Sequence, residues 1–450
     1  MASTADAVSA LKSELSGRVF GPGVADYAQS VRTWNGTVTY APLVVVRAES
    51  GSDVVAAARF AESQGLGIAV RATGHGALVD VDEDAILIDT SRMKRITVDP
   101  TDRTATLQPG VNTIEFVRAI QEYGLAAPTA ISPTVGMTGY TLAGGYGDMP
   151  RYFGLSSDNI VSAQVVLADG TQLSVSDTEN ADLLWGMRGG GGNFAIVTEL
   201  TLRLKPLVTV VAGVLTYGID NAKSVMAAVR EWMTVIPDEM SVEVAYFSAR
   251  ATGSELASLV LTLIYLGPGE DGQPLIDELV MRTKPTSNSV HEKTFLDFFE
   301  DLDDPGFGGH NYWHGVLFDD LGPELVEQLV ASVRDPESRL MLLFSFYGGG
   351  RWSERAEEFS AVSHRDGQWL MNGRAIVALG DADTARRQVA DLAARLAPFN
   401  DRSVPYTYVE YEGPSRLPDV FGQAKLLRLR ELKRIIDPNN RLRYNANIAP

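Results

Sequence analysis

The sequence contains no cysteine. That absence excludes disulfides, thiolate metal sites, iron–sulfur clusters and cysteine nucleophiles. Basic residues are also short: 39 Lys and Arg stand against 57 Asp and Glu, a formal net charge of −18. A field of that sign repels nucleic acid and anionic lipid. A small-molecule partner is therefore expected, with no nucleic acid and no membrane. No run of about 18 apolar residues occurs, so no membrane span is expected. The opening residues lack a basic segment followed by an apolar stretch, so no secretion signal is expected and a cytoplasmic location is the default. The oligomeric state leaves no mark on the sequence.

What is present fits a globular enzyme. Of 450 residues, 45% are hydrophobic and 21% charged, enough chain for two domains, with discontinuous sequence allowed. A buried-strand run at 43–47 precedes a helical period at 52–64, capped by Ser52 or Asp53, and a strand at 67–71. Strands follow at 85–89 and 104–107, then a helix over 113–123. The stretch 128–147 is dense in Gly, Pro and Thr and reads as a long ordered loop. Strands 163–167 and 171–174 flank the hairpin turn Ala168-Asp169-Gly170. Beyond Leu204, strand-like segments at 208–217, 241–248, 259–266 and 341–347 alternate with helical ones at 222–235, 323–333 and 382–396. This pattern predicts an α+β region with helices on one face of an antiparallel sheet. A helix over 418–435 and a polar tail close the chain.

Three blocks carry the chemistry. In Val70-Arg71-Ala72-Thr73-Gly74-His75-Gly76 a strand ends in small residues whose backbone N–H groups can approach an anion. His75 then either stands beside the ligand or simply caps a turn. The second block, Ser132-Pro133-Thr134-Val135-Gly136-Met137-Thr138-Gly139-Tyr140-Thr141-Leu142-Ala143-Gly144-Gly145-Tyr146-Gly147, places five glycines in twelve residues. Such density means positive φ or close approach to a ligand, or else an irregular crossover. Its flanks do not match the dinucleotide fingerprint. The third, Leu183-Leu184-Trp185-Gly186-Met187-Arg188-Gly189-Gly190-Gly191-Gly192-Asn193-Phe194-Ala195-Ile196-Val197-Thr198, sets a glycine quartet between a helix and a strand. No Lys-Ser/Thr follows the glycines, so it is not a P-loop, and Arg188 is equally readable as a surface ion-pair residue.

In this order the blocks resemble the PCMH-type FAD-binding domain of the vanillyl-alcohol-oxidase flavoproteins, closest to their berberine-bridge-enzyme-like branch. The resemblance covers 1–205 and returns at Asp437-Pro438-Asn439-Asn440-Arg441 and Asn445-Ala446-Asn447-Ile448. It implies an α+β fold: a two-subdomain FAD-binding domain from 1–205 and 406–450, and an inserted substrate domain, 206–405, of antiparallel sheet covered by helices.

The resemblance further implies FAD wrapped by Arg71, Ala72, Thr73, Gly74, His75 and Gly76, with His75 bonded to the flavin 8α-methyl carbon. Ser132, Val135, Gly136, Gly139, Gly144, Gly145, Gly147, Asn159, Gly192, Phe194, Ile196, Val197, Asn445 and Asn447 fall at the other cofactor positions. Many relatives carry a second tether, a cysteine, where this chain has Ser132. A hydroxyl is a far weaker nucleophile than a thiolate, so attachment through His75 only is expected. Val135 matches the oxygen gatekeeper, and its small side chain points to an oxidase.

The family's Tyr-x-Asn element reads Tyr408-Val409-Glu410 here. Glu410 and Tyr408 are the catalytic candidates, Glu410 as a carboxylate whose pKa an apolar wall would raise, or else as a structural ion-pair residue. The implied reaction removes hydride from a C–H beside an alcohol or amine of a small metabolite, with O2 reoxidising the flavin to give H2O2. A dehydrogenase using another acceptor, or a flavin-carrying binding protein without catalysis, remain the alternatives.

Other positions receive blander readings. His310 and His314 have a ligand spacing but no third ligand in a recognised motif, so pocket lining is preferred and no metal is expected. Phe346-Tyr347-Gly348-Gly349-Gly350 is expected to line the cavity, and Ser363-His364-Arg365 to be structural. Tyr312, Trp313, Phe344, Phe346 and Trp352 hint at a ring-bearing substrate or belong to the core.

Overall fold

A computed structural model describes residues 4–302, 308–400, 405–409 and 413–450. Glu410, one of the two catalytic candidates, lies outside the described residues. The architecture is α+β and is built on three main sheets.

The first sheet contains β1 (Arg18–Phe20), β2 (Val44–Arg47), β3 (Gly67–Arg71) and β4 (Ala85–Asp89), in the order β1-β2-β4-β3. β2 and β3 run parallel to β4 and β1 runs antiparallel to β2. The helix Gly51–Gln64 crosses between β2 and β3. Its cap is Ser50 rather than Ser52 or Asp53. The Ser50 side chain accepts from the Asp53 N–H while the Asp53 carboxylate accepts from the Ser50 N–H. Asp53 is thus the reciprocating third residue of a capping box.

The second sheet is antiparallel, β5-β6-β10-β8-β9. Its strands are β5 (Ile96–Asp99), β6 (Thr104–Leu107), β8 (Ile160–Val166), β9 (Gln172–Ser176) and β10 (Ile196–Arg203). A two-residue ribbon pairs β7 (Leu125–Ala126) with β11 (Lys205–Pro206). The stretch 128–147 is not wholly irregular: it contains the short helix Met137–Leu142.

The third sheet comprises β12 (Thr209–Gly218), β13 (Met240–Phe247), β14 (Ser258–Tyr265), β15 (Ser287–Asn288), β16 (His291–Thr294), β17 (His310–Phe318), β18 (Met341–Phe346) and β19 (Trp369–Val377). The strand order is β15-β12-β14-β13-β18-β19-β17, with β16 also on β12, and every pairing is antiparallel. Helices Ala222–Trp232, Gly269–Thr283, Pro323–Arg334 and Ala382–Leu396 bury their apolar stripes on one face, where Trp232, Ile276, Leu329 and Leu392 meet Val244, Tyr246, Leu342, Phe344 and Met371. Each such side chain contributes about 1.5–3 kcal/mol when fully buried. Because side chains alternate along a strand, residues between these point to the opposite face. That face carries the polar residues Glu243, Ser345, Asn372 and Arg374 among apolar ones such as Ala245 and Leu343.

The helix Leu417–Ile436 returns to the second sheet's core, where Val420, Phe421, Leu426 and Leu429 pack with Trp185 and Phe194. No described helix is long and apolar enough to cross a membrane.

Candidate active site

β3 ends at Arg71, and the chain then turns through Gly74, whose φ of 92° suits a residue without a side chain. Arg71 is spent on structure: its guanidinium donates to the carbonyls of Ser30 and Arg32 and lies 3.7 Å from Asp89. His75 presents Nε2 at 2.7 Å from the Thr134 hydroxyl, which is 3.4 Å from that of Ser132. One face of the imidazole stacks on Trp34, centroids 4.9 Å apart and planes at 25°.

Backbone and side-chain hydrogen bonds join the four sequence blocks into one surface. The Gly136 N–H donates to Thr73 Oγ1 (3.0 Å), linking the first to the second. The Gly189 N–H donates to the Leu142 carbonyl (3.0 Å), linking the second to the third. The Asn193 amide donates to the Ala446 carbonyl (3.3 Å) and accepts from the Ile448 N–H (2.9 Å), linking the third to the tail. Buried Lys433 fastens this last joint by donating to the carbonyls of Asn193 (2.7 Å) and Leu442 (3.1 Å) and to Asp437 (2.7 Å).

The glycines divide into two groups. A methyl at Gly136 would press on Thr73, at Gly147 on the Thr129 carbonyl, and at Gly145 would lie 2.3 Å from Ser156 Cβ, so these serve protein packing. Gly144 and Gly145 also have positive φ, 107° and 76°. Gly76, Gly139 and Gly192, one from each block, are exposed, and an added methyl would meet nothing within 4 Å. Backbone laid bare in this way suits close approach by a flat or anionic group. The side-chain oxygens Asn445 Oδ1 and Asn447 Oδ1 are buried without a hydrogen-bond partner among the described residues. Buried acceptors are normally satisfied, so this pair invites a donor from a ligand. These features fit an FAD.

Other expected cofactor residues take different positions. Phe194, Ile196 and Val197 bury their side chains in the cores around β10, leaving only their backbone for any ligand. The Asn159 amide donates to the carbonyls of Phe153 (3.2 Å) and Leu155 (2.8 Å), holding a turn. Val135 is half-buried and its carbonyl accepts from the Thr113 N–H (2.9 Å).

The second block ends against the Ser345 face of the third sheet. Asp148 accepts a 2.8 Å bond from Ser345 on β18, and the Tyr347 hydroxyl donates to the Gly147 carbonyl (2.7 Å). Glu243 and Tyr408 feel the charge of Asp148, and Arg374 acts on both of them while Asn372 bonds Tyr408, all residues scattered over the sequence. Burial pushes the Asp148 carboxyl up to about 6, against the lowering effect of the Ser345 bond. Burial, and next the charge of Asp148, push Glu243 up to about 8, opposed by Arg374 and the Thr262 hydroxyl. The Tyr408 phenol is raised by burial first and then by Asp148, while Arg374 and a hydrogen bond from Asn372 act the other way. Nothing local in the sequence marks Asp148, Glu243, Asn372 or Arg374. Only the alternation of β13 and β19 hints at them.

The aromatic candidates separate. Phe344 and Phe346 pack in the helix-side core and Trp352 in a cluster with Tyr146 and Tyr347. Tyr312 packs against the helix side, and His310 and His314 share its face of β17 by alternation. Trp313 pairs with Arg374 and shares its face of the sheet. Arg188 is buried, not a surface residue: it donates to Asp177 (2.8 Å) and the Ile160 carbonyl (2.8 Å). Arg365 forms a buried bidentate pair with Asp158, at 2.6 and 3.0 Å.

Residues 42–176 match a family described as an FAD binding domain. An FAD-linked oxidoreductase of Dictyostelium discoideum is 26% identical over 97% of this chain and 95% of its own. The (R)-6-hydroxynicotine oxidase of Paenarthrobacter nicotinovorans is 34% identical over 45% of each chain. Among solved structures, 6-hydroxy-D-nicotine oxidase from Arthrobacter nicotinovorans superposes with a TM-score of 0.86 at 23% identity, covering 97% of this chain and 98% of that one. Xylooligosaccharide oxidase from Myceliophthora thermophila gives 0.87 at 22%, covering 100% and 99%. With its joined glycine blocks and the matching domain, the chain carries an FAD-binding domain over 42–176, is similar along nearly its whole length to an FAD-linked oxidoreductase, and is an enzyme.

Proposed function

We propose that this enzyme is an FAD-dependent oxidase, with FAD attached through His75 alone, acting on a C–H beside an alcohol oxygen or amine nitrogen of a small metabolite. The observation that carries the reading is that the second glycine block runs from the His75–Thr134 pair at one end to Asp148 and the Ser345 face of the third sheet at the other. An FAD held there would supply the two-electron oxidation of the substrate C–H, with O2 as the final acceptor and H2O2 as its product.

The chain's own task is then to position the substrate and move one proton. Tyr408 is a weak base alone, because its buried phenol holds its proton. With Asp148 beside it, the phenol oxygen takes the substrate proton as its own passes to the carboxylate. Glu243, protonated at neutral pH, and Arg374 keep the surroundings of this pair near charge balance. Asp148 thus fills the carboxylate role that the sequence suggested for Glu410. Ser132 offers no thiolate, which supports a single tether, and small Val135 supports oxygen access. We assign 1–205 and 406–450 to the cofactor side and 206–405 to the substrate side, because the third sheet lies within the latter range.

The test is direct. The acid-precipitated chain should stay yellow, and anaerobic bleaching by a panel of amines, alcohols and sugars, followed by air, should release H2O2. A colourless pellet of bare-chain mass would refute the tether. Reduced flavin that is stable in air would refute the oxidase.

A further inference from the structure

We infer that the segment Thr33–Val38 is a clip that aligns His75 for flavin attachment and makes that alignment depend on docking of the third sheet, with Trp34 as the positioning residue. The inference rests on the tether proposed above.

The segment is fastened on both sides. Toward the cofactor loop, the Arg71 guanidinium donates to the Arg32 carbonyl (2.9 Å) and the Trp34 N–H to the Gly74 carbonyl (3.4 Å). The Trp34 indole then covers one face of the His75 ring. Toward the third sheet, the buried side chain of Asn35 acts as a surrogate peptide group: Nδ2 donates to the Asn311 carbonyl (3.0 Å) and Oδ1 accepts from the Asn311 N–H (3.0 Å). The Gly36 N–H donates to the Gly309 carbonyl (2.9 Å) and the Gly308 N–H to the Trp34 carbonyl (3.0 Å). A methyl on Gly36 would lie 2.7 Å from the Gly308 oxygen, so the two chains meet backbone to backbone. Internally, Thr33 Oγ1 donates to the carbonyls of Asn35 (2.9 Å) and Val38 (3.0 Å), and the Thr37 N–H donates to Asn35 Oδ1 (3.1 Å).

These restraints act on the imidazole in complementary directions. The Thr134 bond lies in the ring plane and fixes its rotation, while the indole fixes its tilt by occupying one face. A nucleophile held in two directions is near its attack geometry before the cofactor arrives. Because the indole hangs from a segment hydrogen-bonded to the start of β17, the sheet bearing Trp313 must be docked for His75 to be aligned. Flavin is then attached only to chains with both sides assembled.

Attachment forms one C–N bond between an imidazole nitrogen and the flavin methyl carbon. One hydrogen leaves the methyl and one the imidazole. The two electrons enter the flavin and pass, with two protons, to O2 as H2O2. The product therefore weighs one FAD less two hydrogens more than the bare chain.

The experiment uses full-length chain produced with its flavin depleted, mixed with FAD in air, and followed by intact mass alongside FAD affinity and thermal melting. Wild type should convert fully. Trp34→Leu should bind FAD with near-wild-type affinity but attach it roughly ten- to a hundredfold more slowly, and Trp34→Phe should recover most of the rate. Asn35→Ala should slow attachment similarly; if it fails to fold, the Trp34 pair alone decides. Attachment by Trp34→Leu at the wild-type rate overturns the inference, as does loss of FAD affinity in step with attachment, which would make Trp34 a prop for the loop and not for the ring. If wild type itself gains no mass, the tether fails and this inference with it.

Discussion

The Nε2 atom of His75 lies 2.7 Å from the hydroxyl oxygen of Thr134, so the proposed flavin anchor is held by a residue 59 positions away. Such a bond sets the tautomer and the rotation of the ring at once. Thr134→Val keeps the shape and deletes the bond. We expect covalent flavin to form roughly tenfold more slowly, with noncovalent FAD affinity nearly unchanged. Intact mass against time, with affinity from flavin fluorescence, checks this.

Asp148 and Glu243 should govern the pH profile. A base must be ionised to take a proton, so kcat/KM should rise with pH through an apparent value between about 6 and about 8 belonging to the pair. Asp148→Asn should lower kcat by roughly a hundredfold or more, with KM much less affected. Any remaining limb should shift to lower pH, because the charge of Asp148 is one cause of the raised Glu243 value. A profile unchanged in Asp148→Asn would remove Asp148 from the proton path.

The same two shifts predict how stability varies with pH. A carboxyl raised in the folded state holds its proton where the unfolded chain has already released it. Stability is therefore full below the unfolded values of 3.8 and 4.5 and declines as pH climbs towards the folded values of about 6 and about 8. Glu243→Gln keeps the shape and removes the larger of the two shifts. Its unfolding free energy should exceed that of wild type at pH 8 by on the order of 4 kcal/mol, and the two should converge near pH 4. Calorimetry across that range decides.

Two glycines six residues apart should respond oppositely to alanine. Gly145 has positive φ, and a methyl there would meet Ser156 Cβ at 2.3 Å, so Gly145→Ala should destabilise the flavin-free chain by about 2–4 kcal/mol. Gly139 sits exposed within the helix Met137–Leu142 with open space beyond it. Gly139→Ala should stabilise the flavin-free chain by about 0.5–1 kcal/mol. It should nevertheless weaken FAD binding at least about tenfold, since the methyl occupies space that the ligand needs. Unchanged FAD affinity would move the cofactor away from that helix.

What the sequence determined by itself is what local chemistry can encode. The apolar run at 43–47, the helical period of 52–64 and the strand at 67–71 give the strand–helix–strand unit, Ala168-Asp169-Gly170 gives the hairpin, and glycine density marks the three loops. Each depends on neighbours within a few residues, so each leaves a mark on the chain. Tertiary structure alone decided which glycines face a ligand: Gly136, Gly145 and Gly147 accommodate protein atoms, whereas Gly76, Gly139 and Gly192 face open space. It also decided that Phe194, Ile196 and Val197 belong to cores, that 310–318 is a strand, and that Asp148, Glu243, Arg374 and Tyr408 share one environment. Burial raises both carboxyls and the charge of Asp148 adds to the Glu243 shift, and the groups that produce this come from segments far apart in the sequence. The pairing of β13, β18 and β19 brings them together, and that pairing is set by the whole buried face of the sheet.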